Sequence, residues 1–271
     1  EMLRSLVGSE MCIRDRGNYG VEYVLRDVLE GRDGKARRQR IARGFYGRVV
    51  GGDNSEPEDG LDVVTTLDLE MQDVADRALR RQLEAQNALW GTALVMEVAT
   101  GDLLAMANLS RTKSGAYAEV KNHALSSRME PGSTFKLAAL LALVDDAGMS
   151  LDETFDTGNG ARVKVGRTTV QDSHGLPPLN LKDAVAHSSN VFFARAVYET
   201  YKDDPERYVD YLRHLHLDRT VGLEEFGAVA PIFPAPGMKI WYPDVSIVNM
   251  GYGYAIEPVS YTHLRAHETP E

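Results

Sequence analysis

Met129-Glu130-Pro131-Gly132-Ser133-Thr134-Phe135-Lys136, with the apolar run Leu137-Leu141 and Ala142-Leu143-Val144 behind it, decides how this 271-residue chain is read. Pro131-Gly132 sets up a tight entry, and the apolar run predicts a buried helix. Residues at i and i+3 share a helix face, so the Lys136 amine is expected beside the Ser133 hydroxyl. Ser133 falls near the helix start, where free N–H groups and the positive end of the dipole favour developing negative charge. Burial can depress a lysine far enough for it to take a proton from serine. The result is an activated nucleophile that needs no histidine. A solvated capping serine beside a surface lysine is the competing reading of Ser-x-x-Lys. The two apolar turns that follow weigh against it.

A second motif lies about fifty residues on. Asn180-Leu181-Lys182-Asp183 opens like a capping box, with Asp in place of Glu or Gln. Its short helix runs through Ala184-Val185-Ala186 into His187-Ser188-Ser189-Asn190, and a new apolar helix begins at Val191. Ser188-x-Asn190 is thereby placed at an inter-helix corner facing a cleft. There Ser188 can pass a proton, and Asn190 can hold a substrate amide or the lysine. Plain helix capping explains each of these residues singly.

The remaining chain reads as mixed α and β. Residues 17–31 predict a short amphipathic helix, then an Asp33-Gly34 turn and an acid- and glycine-rich loop over 51–60. Residues 61–67 predict a β-branched strand. Asp68 caps a helix with Val74, Ala75, Ala78, Leu79 and Leu83 on one stripe. Residues 90–98 and 103–109 predict two strands joined by an Ala99-Thr100-Gly101-Asp102 turn, packed on helices. Loops and short strands follow Gly148, among them Asp156-Thr157-Gly158-Asn159-Gly160 and Asp172-Ser173-His174-Gly175. His174, two residues from Asp172, has the look of a base, but in a glycine-flanked loop such a pair is more often structural. Asp204-Pro205 starts another helix, 222–236 is loop, and 240–251 leads into a last apolar element.

Composition bounds the function class. Hydrophobic residues make up 43% of the chain, enough for a core, and the net charge of -10 includes no basic tract among aromatics, so no nucleic-acid partner is expected. The basic run Arg32–Arg43 reads as a solvated surface. No apolar stretch reaches the roughly 18 residues that span a bilayer. Cys12 is the single cysteine, so no internal disulfide is possible. No His/Cys/Asp cluster has ligand spacing, and neither metal nor organic cofactor is expected. Residues 1–16 and 260–271 resemble translated sequencing-adapter text and are set aside, which leaves Cys12, His263 and His267 without a functional role.

With Ser133-x-x-Lys136 and Ser188-x-Asn190 in place, the sequence resembles the transpeptidase domain of penicillin-binding proteins. That family's set is Ser-x-x-Lys, Ser-Asp-Asn and Lys-Thr-Gly; here the middle element is Ser-Ser-Asn. The 90–109 hairpin, the Glu130–Lys136 stretch, Asp156–Gly160, Asp172–Gly175 and Gly251-Tyr252-Gly253 resemble the class B, monofunctional branch. The likeness is strongest to the cell-division transpeptidase of Bacteroidetes-type bacteria, and it covers residues 17–259. It implies an α/β (α+β) fold of the penicillin-binding protein and serine β-lactamase type, in the domain spanning 67–259. Residues 17–66 are then the remnant of an N-terminal non-catalytic pedestal domain. Ser133, Lys136, Ser188 and Asn190 become the catalytic set. Peptidoglycan stem peptides ending D-Ala-D-Ala become the donor, with an amine acceptor, and β-lactams become covalent inhibitors. The resemblance also implies a glycosyltransferase and other divisome proteins as partners, and a periplasmic catalytic domain anchored in the bacterial inner membrane.

One departure from the family pattern matters. The Lys-Thr-Gly strand expected after Gly251-Tyr252-Gly253 is absent; Lys113-Ser114-Gly115 imitates it but precedes Ser133. The expectation is therefore a truncated sheet in an inactive fragment of an active parent. A β-lactamase or β-lactam sensor, and a non-enzymatic divisome scaffold, remain the competing readings.

Overall fold

The computed structural model describes residues 20–35, 55–220 and 222–259, together with the strands β1 (Arg38–Ala42) and β2 (Phe45–Arg48), an antiparallel pair. The tails 1–16 and 260–271, with Cys12, His263 and His267, lie outside the described residues, as does part of the basic run and of the 51–60 loop. The helix expected over 17–31 is instead two single turns, α1 (Val21–Val24) and α2 (Arg26–Leu29), divided at Leu25, and neither buries a residue. A helix this short has too few bonds to persist without a packed face.

Residues 61–67 do not form the expected strand. Leu61 and Val64 are 69% and 94% exposed; Thr66 Oγ1 donates to Leu103 O, and just past the segment Asp68 N donates to Leu104 O. Strand propensity expresses fit to a half-buried pleated surface, and among the described residues no neighbouring strand supplies one.

The first layer follows. Asp68 accepts a bond from Met71 N at 2.8 Å and opens α3 (Leu69–Gln86), which ends on Asn87 in left-handed conformation. α3 lies on the antiparallel hairpin of β3 (Trp90–Met96) and β4 (Leu103–Arg111), where Trp90 pairs with Ser110 and a bulge follows Val95. The contact is made of Ala75 and Leu79 on Ala105 and Ala107, and of Leu83 on Leu109 and Tyr117. Gly91 permits that approach, since a Cβ there would stand 2.9 Å from Leu83 Cδ2. β5 (Tyr117–Ala118) extends the sheet, and Lys113-Ser114-Gly115 occupies the exposed turn before it. α4 (His123–Ser126) is pinned beneath: the His123 ring stacks on Trp90 at 4.2 Å and bonds Ser110 Oγ and Ser127 Oγ.

The second layer is helical and carries the main core. A 3₁₀ turn (Gly132–Phe135) runs into α5 (Lys136–Leu141) and then a π turn (Ala142–Asp146). The helix expected to be buried is instead amphipathic. Phe135, Ala138, Ala139, Ala142 and Leu143 face inward, while Leu137 and Val144 are exposed. Two small antiparallel ribbons follow, β6 (Thr154–Phe155) with β9 (Leu179–Asn180) and β7 (Val163–Val165) with β8 (Thr168–Val170). Asn180 accepts from Asp183 N and opens α6 (Leu181–Ala186). Ser189 accepts from Phe192 N and opens α7 (Asn190–Tyr201). Asp204 and Pro205 open α8 (Pro205–His214), and α9 (Ser246–Met250) closes the layer. Phe135, Phe192, Phe193, Tyr201, Tyr208 and Ile247 are the large side chains of this core, all essentially inaccessible. Tyr201 spends its hydroxyl on Ala142 O and the Asp146 carboxylate, which ties α7 to the π turn.

Candidate active site

Ser133 lies in the 3₁₀ turn and Lys136 is the residue where that turn becomes α5. A 3₁₀ turn has three residues per turn, so side chains at i and i+3 eclipse. That winding brings Lys136 Nζ to 3.2 Å from Ser133 Oγ. Phe135, fully buried, anchors the turn from below, and Thr134 Oγ1 donates to Pro131 O at 2.8 Å. Ser133 itself faces solvent, whereas Lys136 is 5% exposed.

The corner between α6 and α7 meets the lysine from the other side. Ser188 has φ +52°, a left-handed conformation uncommon for a residue with a Cβ. Lys136 Nζ lies 2.6 Å from the Ser188 carbonyl oxygen, 3.1 Å from Ser188 Oγ and 2.7 Å from Asn190 Oδ1. The structure thus brings together all four residues singled out from sequence, around one nitrogen. A neutral amine has two N–H groups and one lone pair. Donating toward Ser188 and Asn190 leaves the lone pair for the Ser133 proton. Asn190 Nδ2 donates to Gln171 O at 3.4 Å, so the amide is held at both ends.

Burial lowers the pKa of Lys136 from 10.5 to about 8, against the opposing field of Asp172. A depression of that size raises the neutral fraction near pH 7 by roughly 300-fold. The Phe193 ring, 5.9 Å from Nζ, makes part of the apolar surround.

The approach to Ser133 is fixed by the segment that ends the described chain. Gly132 N donates to Gly253 O at 2.9 Å, Ala255 N donates to Glu130 Oε1 at 3.1 Å, and Met129 N donates to Pro258 O. Gly253 has φ +94°, and a Cβ there would stand 1.8 Å from Gly132 O. Arg128 and Val259 complete the seam as an antiparallel bridge.

Two features of the site went unread in the sequence. Asp172 is 5% exposed and accepts from Ser189 Oγ (2.8 Å), Asn190 N (2.5 Å) and Val191 N (3.2 Å). It therefore caps α7 and is not the partner of His174, which is exposed and bonds Ser173 Oγ. The Gly132–Gly253 contact was equally hidden. Both are contacts between segments distant in sequence, and no local pattern announces them.

A left-handed serine corner, a single turn of 3₁₀ helix and a buried lysine shared between them form a candidate serine-nucleophile site on a two-layer α/β scaffold. The family model of the penicillin binding protein transpeptidase domain matches residues 91–266, well over half of the chain, and the chain belongs to that family. Among curated proteins, the probable peptidoglycan D,D-transpeptidase PenA of Neisseria meningitidis is 29% identical over 208 residues, 70% of this chain and 35% of that protein. Penicillin-binding protein PbpB of Mycobacterium tuberculosis is 30% identical over 231 residues, 80% of this chain and 33% of that protein. The chain thus spans about a third of the length of these relatives. The crystal structure of penicillin-binding protein 3 from Mycobacterium tuberculosis, complexed with aztreonam, superposes with a TM-score of 0.77 at 24% identity. That likeness covers 97% of this chain and 55% of the other, and it establishes the penicillin-binding protein transpeptidase fold. Among the described residues, no helix is long and apolar enough to cross a membrane.

Proposed function

We propose that the whole protein is a serine D,D-transpeptidase that crosslinks peptidoglycan stem peptides through an acyl-enzyme on Ser133. The observation that carries this reading is the convergence of Ser133 Oγ, Ser188 Oγ and Asn190 Oδ1 on Lys136 Nζ, each within 3.2 Å. Neutral Lys136 takes the Ser133 proton, and Oγ bonds to the carbonyl carbon of the penultimate D-Ala. The C–N bond to the terminal D-Ala breaks, and that amine receives the proton back from Lys136 through Ser188. A side-chain amine of a neighbouring stem peptide then attacks the ester, forms the crosslinking amide, and surrenders its proton as Ser133 is regenerated. Asn190, held by Lys136 and Gln171 O, orients the acylated peptide. A β-lactam follows the first half of this course, but its amine stays tethered, so the ester persists.

The setting proposed is septal wall synthesis, with the catalytic domain in the periplasm, an inner-membrane anchor, and a glycosyltransferase and other divisome proteins as partners. The names of relatives support the wall-synthetic role: D,D-transpeptidases and a stage V sporulation protein are among them. By the family resemblance, the Ser133 backbone N–H would supply one oxyanion donor, and the second would come from the Lys-Thr-Gly strand expected after Gly253. Removing one such donor costs about 3 kcal/mol, roughly a hundredfold or more in rate.

In the whole protein, Ser133→Ala is expected to abolish covalent penicillin labelling, read by intact mass, with the thermal unfolding transition preserved. Labelling that persists in that variant would reject Ser133 as the nucleophile.

A further inference from the structure

We propose that Asp172 is a positioning residue of this site: its buried carboxylate fixes the Ser188–Asn190 corner, and its negative charge reaches Lys136 through that corner. The inference rests on the acyl-transfer reading above. Three observations point to it. First, the carboxylate receives three donors, Ser189 Oγ, Asn190 N and Val191 N, at 2.5–3.2 Å. These are the residues flanking and forming the corner that grips the lysine. Second, Ser189, with no exposed surface, bridges Asp172 to Phe192 N and so couples the carboxylate to the first turn of α7. Third, Gln171, the residue before Asp172, supplies the carbonyl that takes Asn190 Nδ2. Loop 171–172 therefore sets both the backbone and the side chain of Asn190.

The charge has a second consequence. The groups around Lys136 Nζ are Ser133 from the 3₁₀ turn, Ser188 and Asn190 from the corner, the Phe193 ring from α7, and Asp172 from its loop. Asp172 is the charged one whose field bears on the lysine, and it raises the lysine pKa where burial lowers it. A base that must first accept the serine proton and then return it to a leaving amine works best with a pKa near the working pH. Burial and the carboxylate thus act in opposite directions on the amine, and their balance leaves it at about 8.

The test is the pH profile of benzylpenicillin acylation in the whole protein, for the wild type, Asp172→Asn and Asp172→Glu. Asparagine keeps the shape: its oxygen can still accept from Asn190 N and Val191 N, and its amide can donate to Ser189 Oγ. The charge is lost, and the Ser189 hydroxyl, which donates to the carboxylate in the wild type, must turn its proton elsewhere. In Asp172→Asn the midpoint of the rising limb is expected to fall by about one pH unit. Asp172→Glu, which retains the charge, is expected to keep the wild-type midpoint even where its plateau drops. If Asp172→Asn loses rate equally at every pH, with an unmoved midpoint, the residue is a structural cap and the proposal is overturned. A fall in midpoint shared by Asp172→Glu overturns it too, because the charge would then not be the cause. Failure of the wild type to acylate at Ser133 is a separate result that removes the underlying reading itself.

Discussion

The α3–hairpin layer and the helical layer bury their apolar surface in different ways. The first meets over small side chains, Ala75 on Ala105 and Ala107, with Leu79 and Leu83 as its larger contributors. Its helix leaves Met71 and Val74 44% and 58% exposed. The second closes completely over Phe135, Phe192, Phe193, Tyr201 and Tyr208. All four proposed catalytic side chains stand on this second layer, at ends of elements rather than in their middles. Positional precision is stored in the second layer. A side chain is held to the tolerance that acyl transfer needs only when the turn beneath it is clamped by a core that cannot shift, and Phe135 and Phe192 are that clamp under Ser133 and Asn190.

The largest effect is expected at the seam. Gly253→Ala places a Cβ against Gly132 O in a left-handed conformation that disfavours any side chain. We expect at least a hundredfold loss of penicillin acylation with the fold retained, because a shift of about 1 Å at a nucleophile costs that much. Near-normal acylation would mean the 128–132 approach does not govern Ser133. A pair of core truncations comes next. Phe192→Ala is expected to cost about 3–5 kcal/mol and Leu83→Ala about 2–3 kcal/mol by denaturant unfolding. Only the first should also slow acylation beyond its loss of folded protein. Equal effects of the two on acylation would erase the distinction between the layers.

Local chemistry was legible in the sequence and tertiary chemistry was not. Asp68, Asn180 and Asp204 cap the helices they were expected to cap, because a cap is decided within about four residues. The 90–109 hairpin is present for the same reason, although its turn takes in residues 97–102 and its strands carry a bulge. Residues 61–67 misled because β-branched composition promises a strand only where a partner edge exists. The apolar run after Ser133 predicted a helix but not its passage from 3₁₀ through α to π. That passage is imposed by contacts from elsewhere: the Gly253 seam at one end, and Tyr201 and Arg207 on Asp146 at the other. Of the site, Ser133, Lys136, Ser188 and Asn190 could be named because two short motifs carry them. Asp172 was read only against its neighbour His174, since the residues it serves lie 17 to 19 positions away.

Activation of Ser133 by a neutral, buried Lys136 is tested by the rate of benzylpenicillin acylation against pH in the whole protein and in Lys136→Ala. The lysine pKa of about 8 predicts a wild-type rate that climbs with pH and levels above a midpoint near that value, since the deprotonated amine is the active form. Lys136→Ala should bind penicillin but acylate almost not at all across the range. Wild-type-like kinetics in Lys136→Ala, or a wild-type rate indifferent to pH between about 6 and 10, would contradict the account.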